Sequence, residues 1–426
     1  MQTERNEYDL AQWLSWMEQS HPTEIDLGLD RIRQVAGRLS LDFGSAKVVT
    51  VAGTNGKGST QKMLESVLAG NGHRVGCYSS PHFIHYNERV RLCGHNATDE
   101  QLCAAFRAID RARGEISLTY FEIGTLAGFW LFAQQPLDYI ILEVGLGGRL
   151  DAVNLIDADL AIVTSIGLDH VDWLGDCLEQ IGREKAGVFR GGRPAVCGDD
   201  TPPKSIAAYA GEIGAEFYQV RDQFDYQTGE THWQWQGVDA EGGKLQREGL
   251  ELPILPLPNA ATVLQVLALL GELPTAEQLN NTLSSAAMTG RMQREVWQGK
   301  QFILDVAHNP HAADYLVKRF QNTAIAGQRK LLLGMLKDKD VAEVVRILAP
   351  VFSEFFLVDL DGPRGASADE LATELEPLTK VSVHRYASVK EALQSAAATS
   401  SAQDEVLVAG SFLTVAAALS EMGKEG

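Results

Sequence analysis

The stretch from Lys47 to Ser66, KVVTVAGTNGKGSTQKMLES, constrains this chain more than any other. Val48, Val49 and Val51 form a β-branched run suited to a buried strand. Gly53, Gly56 and Gly58 follow around Lys57. Met63, Leu64, Val67 and Leu68 then recur at helical spacing, which predicts a helix beginning near Ser59. Strand, glycine loop and helix in that order are the context of a phosphate-binding loop. Glycines let backbone N–H groups face a polyphosphate, the helix N-terminus adds partial positive charge, and Lys57 adds a full one. The match to G-x-x-x-x-G-K-[ST] is not literal. With Gly56-Lys57 aligned, Val51 holds the first glycine position and Gly58 the hydroxyl position, and the hydroxyls of Ser59 and Thr60 come later. A ligand-free glycine turn is the bland alternative, and the lysine and paired hydroxyls after a buried strand weigh against it.

At 426 residues the chain has room for two or three domains and substantial cores. The opening MQTERNEYDLAQ is too polar for a signal peptide, and the longest apolar runs, such as VLQVLALL, are too short to span a bilayer. Neither a membrane nor an export route is therefore expected. The five cysteines (Cys77, Cys93, Cys103, Cys177, Cys197) form no C-x-x-C pair and read as reduced, buried thiols of a cytoplasmic protein. The net charge of −19 argues against a nucleic-acid partner, so an anionic ligand requires a locally positive pocket.

The pattern along the chain is α/β. An amphipathic helix over 8–20 and a second to about Leu39 precede the loop. A strand over His73–Ser80 runs into Ser80-Pro81-His82 and a polar segment to Arg91. A helix over 98–113, capped by Thr98, and an apolar helix to Phe132 follow. LDYIILEV and DLAIVTSI are near-continuous apolar strands of the kind a parallel sheet buries. They deliver Glu143 and Asp169-His170 past their C-terminal ends, where ligands of open α/β sheets sit. A carboxylate in an apolar strand needs a partner, and a metal beside the nucleotide would provide one. Lys185 lies on the following helix; crowded by cations it loses its proton easily, and a neutral amine takes up CO2 to become an anionic metal ligand. Residues 213–257 read as a small antiparallel insertion, Asn259 opens an apolar helix, and a boundary is placed at Gly290-Arg-Met-Gln293. From Gln301 a βαβα pattern describes a second, largely parallel domain, with Asp305 and His308 ending its first strand.

Taken in order, GTNGKGS, YSSPHF, SLTYFE, ILEVGLGGRLDA, TSIGLDH, GREKAG, PNAAT, GRMQ and DVAHNPHA resemble the bacterial dihydrofolate synthase/folylpolyglutamate synthase family, relatives of the Mur ligases. The resemblance covers almost the whole chain. It implies a P-loop ATPase domain over 1–290, mostly parallel with the antiparallel insertion, and a smaller Rossmann-like glutamate ligase domain over 294–426, with the active site between them. It implies that Thr54, Asn55, Gly56, Lys57, Gly58 and Ser59 hold ATP, with Asn259, Arg291 and Asp305. Two Mg2+ ions are implied, one at Ser80 and Glu143, the other at His170 and N6-carboxylated Lys185. Asp26, Leu27, Gly28, Thr119, Tyr120, Phe121, Glu122, Leu150, Asp151 and Ala152 align with the family's dihydropteroate pocket. One departure is Met292, where the family usually has Phe, for which only altered packing is expected.

The implied reaction is ATP-dependent addition of L-glutamate to dihydropteroate or a reduced folate through an acyl phosphate, by a monomer. Lys57 is the expected catalytic cation and His308 the candidate base for the amine. Folylpolyglutamate synthase activity alone is one alternative. A Mur-type ligase acting on a UDP-sugar peptide is another, although only about fifty residues precede the loop, short of a typical extra domain. A GTPase-like switch would want an N-K-x-D motif, which the sequence lacks.

Overall fold

The computed structural model describes residues 4–424. It divides into two compact units, Met1–Ala286 and Ala287–Gly426. In the first, β1 (Lys47–Ala52), β2 (Val75–Tyr78), β3 (Val90–Leu92), β4 (His95–Asn96), β5 (Tyr139–Glu143), β6 (Leu160–Val163), β7 (Pro194–Cys197) and β8 (Glu216–Gln219) form one sheet. Its order is β4-β3-β2-β5-β1-β6-β7-β8. Strands β2, β5, β1, β6, β7 and β8 run parallel, and β3 and β4 add an antiparallel edge. The apolar runs of β1 and β5 are buried almost throughout, as a sheet covered on both faces demands.

Helix α1 (Leu10–Glu18) is held by a capping box at Asp9, and α2 (Asp30–Ala36) follows it. Helix α3 (Lys57–Gly70) starts two residues before the expected Ser59, because Gly56 takes the left-handed conformation at its cap. Helix α4 (Asp99–Arg113) carries the Thr98 cap read from the sequence. Helix α5 (Tyr120–Phe132) is buried on nearly every face beneath the sheet. After it come α6 (Val171–Leu174), α7 (Leu178–Ala186), α8 (Lys204–Ile213) and α9 (Leu257–Leu270).

The antiparallel insertion is narrower than expected. Glu216–Gln219 joins the main sheet beside β7, because Gly214 ends α8 in a left-handed turn and returns the chain as one more parallel strand. The insertion proper is β9 (Asp225–Thr228), β10 (His232–Val238) and β11 (Lys244–Glu251), in which Trp233 and Trp235 are buried between exposed neighbours.

The second unit is a six-stranded sheet of β12 (Gln293–Trp297), β13 (Lys300–Leu304), β14 (Arg329–Leu333), β15 (Glu354–Val358), β16 (Ser382–Tyr386) and β17 (Glu405–Ala409). Its order is β12-β13-β17-β14-β15-β16. All but β12 run parallel. Strand β12 was not expected, since QREVW is short, charged and placed at an edge. Met292, in a left-handed conformation (φ 46), packs into this unit's core.

All five cysteines are free thiols, but the expectation that all are buried fails. Cys93 and Cys177 are exposed, the first in the turn between β3 and β4 and the second just before α7.

Candidate functional site

Strand β1 places Val51 beside Glu143 of β5 and Ala52 beside Val163 of β6, so the glycine loop leaves the sheet between two strand ends. The loop is pinned to the segment after β6. The Thr54 amide donates to Ser165 O (2.7 Å), and its hydroxyl donates to Gly167 O (3.1 Å) while accepting from Gly167 N (3.0 Å). Thr164 Oγ1 donates to Asn55 O (2.6 Å). Thr54 thus holds the loop's shape through both of its polar groups. Gly53 (φ 144) and Gly56 (φ 85) have no room for a side chain. A Cβ would lie 1.9 Å from Thr164 Oγ1 at the first and 2.6 Å from Asn259 Nδ2 at the second. The second contact brings Asn259, from α9, onto the loop.

Lys57 Nζ donates to the carbonyls of Gly53 (3.0 Å) and Thr54 (3.2 Å), and buried Lys185 Nζ donates to the same Gly53 oxygen (3.1 Å). Burial, followed by the charge of Lys57, lowers the Lys185 amine to about 7, against the pull of Asp169 and Asp151. At the head of α3 the hydroxyls of Ser59 and Thr60 are buried with no hydrogen-bond partner, and the first N–H groups of a helix have no partner within it.

Glu143 is buried at its strand end. Ser80 begins the loop after β2 and makes a cis bond to Pro81. His170 caps α6 in a left-handed conformation with its side chain 42% exposed, beside Asp169. Among the described residues no three His, Cys, Asp or Glu side chains form a ready metal cluster. The expected donor set is of another kind, because it includes a serine hydroxyl and a modified lysine.

The expected pteroate residues fall into two structural groups. Arg31, which sequence reasoning missed, joins Asp26 to Glu122 through its two terminal nitrogens. Glu122 also closes the capping box with Thr119 at the head of α5, where Tyr120 and Phe121 follow. Gly28 precedes α2, and Leu27 stands beside it. In the second group, Asp151 accepts from Leu146 N and Val153 N and shapes the turn carrying Leu150 and Ala152; burial raises its carboxyl to about 6. Phe121 packs against Gly145 and links the two groups.

The Ser80–Arg89 loop is held internally. Glu88 accepts from the amides of Phe83, Ile84 and His85 (2.7, 2.9 and 2.7 Å). Arg89 Nε donates to His82 Nδ1 (2.8 Å), and its guanidinium lies over the rings of Tyr86 and Tyr120.

In the second unit Asp305 is buried and accepts from Met292 N and Ala307 N (both 2.9 Å). Burial raises its pKa, and Arg291 opposes the rise. Arg291 lies over the Phe412 ring at 5.2 Å, and the His308 ring tilts against the same phenylalanine. His308 Nδ1 hydrogen-bonds to Val306 O (2.8 Å), so Nδ1 carries the proton and a neutral ring keeps its lone pair on Nε2. Phe412 opens the last helix and carried no chemical signal in the sequence.

Two domain profiles match the chain: the Mur ligase middle domain over residues 51–288, and the Mur ligase, glutamate ligase domain over 290–412. The dihydrofolate synthase/folylpolyglutamate synthase of Escherichia coli is 46% identical over 407 residues, covering 96% of this chain and 94% of its own. The solved structure of E. coli FolC in complex with DHPP and ADP superposes with a TM-score of 0.91 at 44% identity, over 97% of this chain and 98% of that one. A bifunctional folylpolyglutamate synthase/dihydrofolate synthase with Mn, AMPPNP and L-glutamate bound gives 0.88 at 45% identity, over 98% and 99%. The chain therefore belongs to the Mur ligase family, within its dihydrofolate synthase/folylpolyglutamate synthase branch.

Proposed function

We propose that this protein is an ATP-dependent ligase that joins L-glutamate to dihydropteroate and to reduced folates. The observation that carries the reading is local. Two lysines share the Gly53 carbonyl at the head of a helix whose Ser59 and Thr60 hydroxyls are buried and unpartnered. Like charges on one acceptor repel, and buried hydroxyls without partners are costly. A triphosphate with divalent cations answers both needs. Complexes of the relatives with ADP, and with AMPPNP, Mn and L-glutamate, support the same assignment.

Ser80 and Glu143 are the residues to hold one Mg2+, and His170 with N6-carboxylated Lys185 a second; bound there, the ions neutralise charge on the transferring phosphoryl group. The head of α3, at Gly56, Gly58 and Ser59, orients the triphosphate together with Lys57, while Thr54 and Asn55 keep the loop in shape. Asn259, Arg291 and Asp305 complete nucleotide binding. Asp26, Glu122 and Asp151, whose carboxylates are engaged within the protein, shape a pteroate pocket walled by Leu27, Gly28, Thr119, Tyr120, Phe121, Leu150 and Ala152.

A carboxylate oxygen of the acceptor attacks the γ-phosphorus and ADP leaves. The glutamate amine, relieved of its proton by His308 Nε2, attacks the acyl carbon, and phosphate departs with that carboxylate oxygen. A cytoplasmic monomer is part of this reading, and no helix among the described residues is long and apolar enough to cross a membrane. The test is phosphate release from ATP with dihydropteroate and tetrahydrofolate supplied separately. Release that requires L-glutamate with each acceptor is expected. Activity with tetrahydrofolate alone would leave folylpolyglutamate synthesis only, and release with neither would refute the proposal.

A further inference from the structure

Arg89 stands out among the cations of the first unit. It is 9% exposed, yet among the described residues no carboxylate lies within ion-pair distance of it. Its Nε bonds His82, and its guanidinium carbon sits 5.3 Å from the Tyr86 ring centre and 5.5 Å from that of Tyr120. The neighbouring acid, Glu88, is committed to three backbone amides. Ring faces compensate a buried cation only in part, and a buried charge without a counter-ion is unfavourable. The guanidinium is therefore built to receive an anion, and its planar fork suits a carboxylate.

Tyr120 belongs to the segment proposed to bind the acyl acceptor, so the anion comes with that substrate. A folate ending in glutamate offers two carboxylates, of which one is activated and the other stays charged. Dihydropteroate offers a single carboxylate, which the reaction converts. We infer that Arg89 anchors the non-reacting carboxylate of the terminal glutamate on folate acceptors, and so separates the two acceptor classes within one site. This rests on the proposed ligase function.

The experiment compares kcat/KM for tetrahydrofolate and dihydropteroate in the wild type, Arg89→Met and Arg89→Lys. It adds a tetrahydrofolate whose non-reacting carboxylate is a carboxamide. Arg89→Met should lower kcat/KM for tetrahydrofolate on the order of tenfold to a hundredfold more than for dihydropteroate, mainly through KM, and Arg89→Lys should restore part of the loss. In the wild type, where no substitution can disturb folding, the carboxamide should show a loss of the same order. Equal losses for both acceptors, or a carboxamide used as well as the acid, would overturn the inference. So would a matching rise in the KM for L-glutamate in both reactions, which would assign Arg89 to the incoming amino acid. A wild type that turns over neither acceptor would remove the proposed function and this inference with it.

Discussion

The Lys57 ammonium donates to two carbonyls of its own loop, and the proposed function has it exchange these for phosphate oxygens. Lys57→Ala should therefore lower kcat by about a hundredfold, the usual cost of losing one electrostatic stabiliser, while the melting temperature moves little. Near-normal turnover would contradict the assignment. Lys185 makes a prediction about pH. Its amine falls from 10.5 to about 7 in the folded protein, so between those values the unfolded chain binds the extra proton. Stability then rises with pH across that window. Denaturant melts from pH 7 to 10 should show the rise in the wild type and lose that contribution in Lys185→Met. The same neutral amine should give a carbamate resonance with 13C-bicarbonate, absent from Lys185→Met.

At the level of elements, the loops are as built as the strands. Gly53→Ala drives a methyl group into Thr164 Oγ1 and should abolish ATP binding measured by calorimetry; binding as tight as wild type would mean that the loop can open there. Glu88→Ala releases three amides of the Ser80–Arg89 loop and should raise the KM for the acceptor more than it lowers kcat, with a modest drop in melting temperature. These elements also mark what the sequence made legible. The strand, loop and helix around Lys57, the Thr98 cap and the strand end at Glu143 follow from local chemistry, because periodicity and capping act over a few residues. Strand β12 and the β3–β4 edge did not, since short, charged edge segments carry little apolar pattern. Arg31, Thr164, Ser165 and Phe412 were equally silent. Each acts through partners distant in sequence, and spacing along the chain does not report such pairings.

Over the whole molecule, two α/β units of different strand order carry the candidate chemistry at strand ends and helix heads, while the net charge is −19. Such a balance keeps an acidic protein in solution, so anion binding depends on local groups rather than on the overall field. The central claim is that the acceptor carboxylate is phosphorylated before the amine attacks it. Dihydropteroate labelled with 18O in both carboxylate oxygens tests it directly. One labelled oxygen should appear in each phosphate released, with the other kept in the amide of the product. Phosphate that carries no label would show that ATP is split by water and would contradict the account.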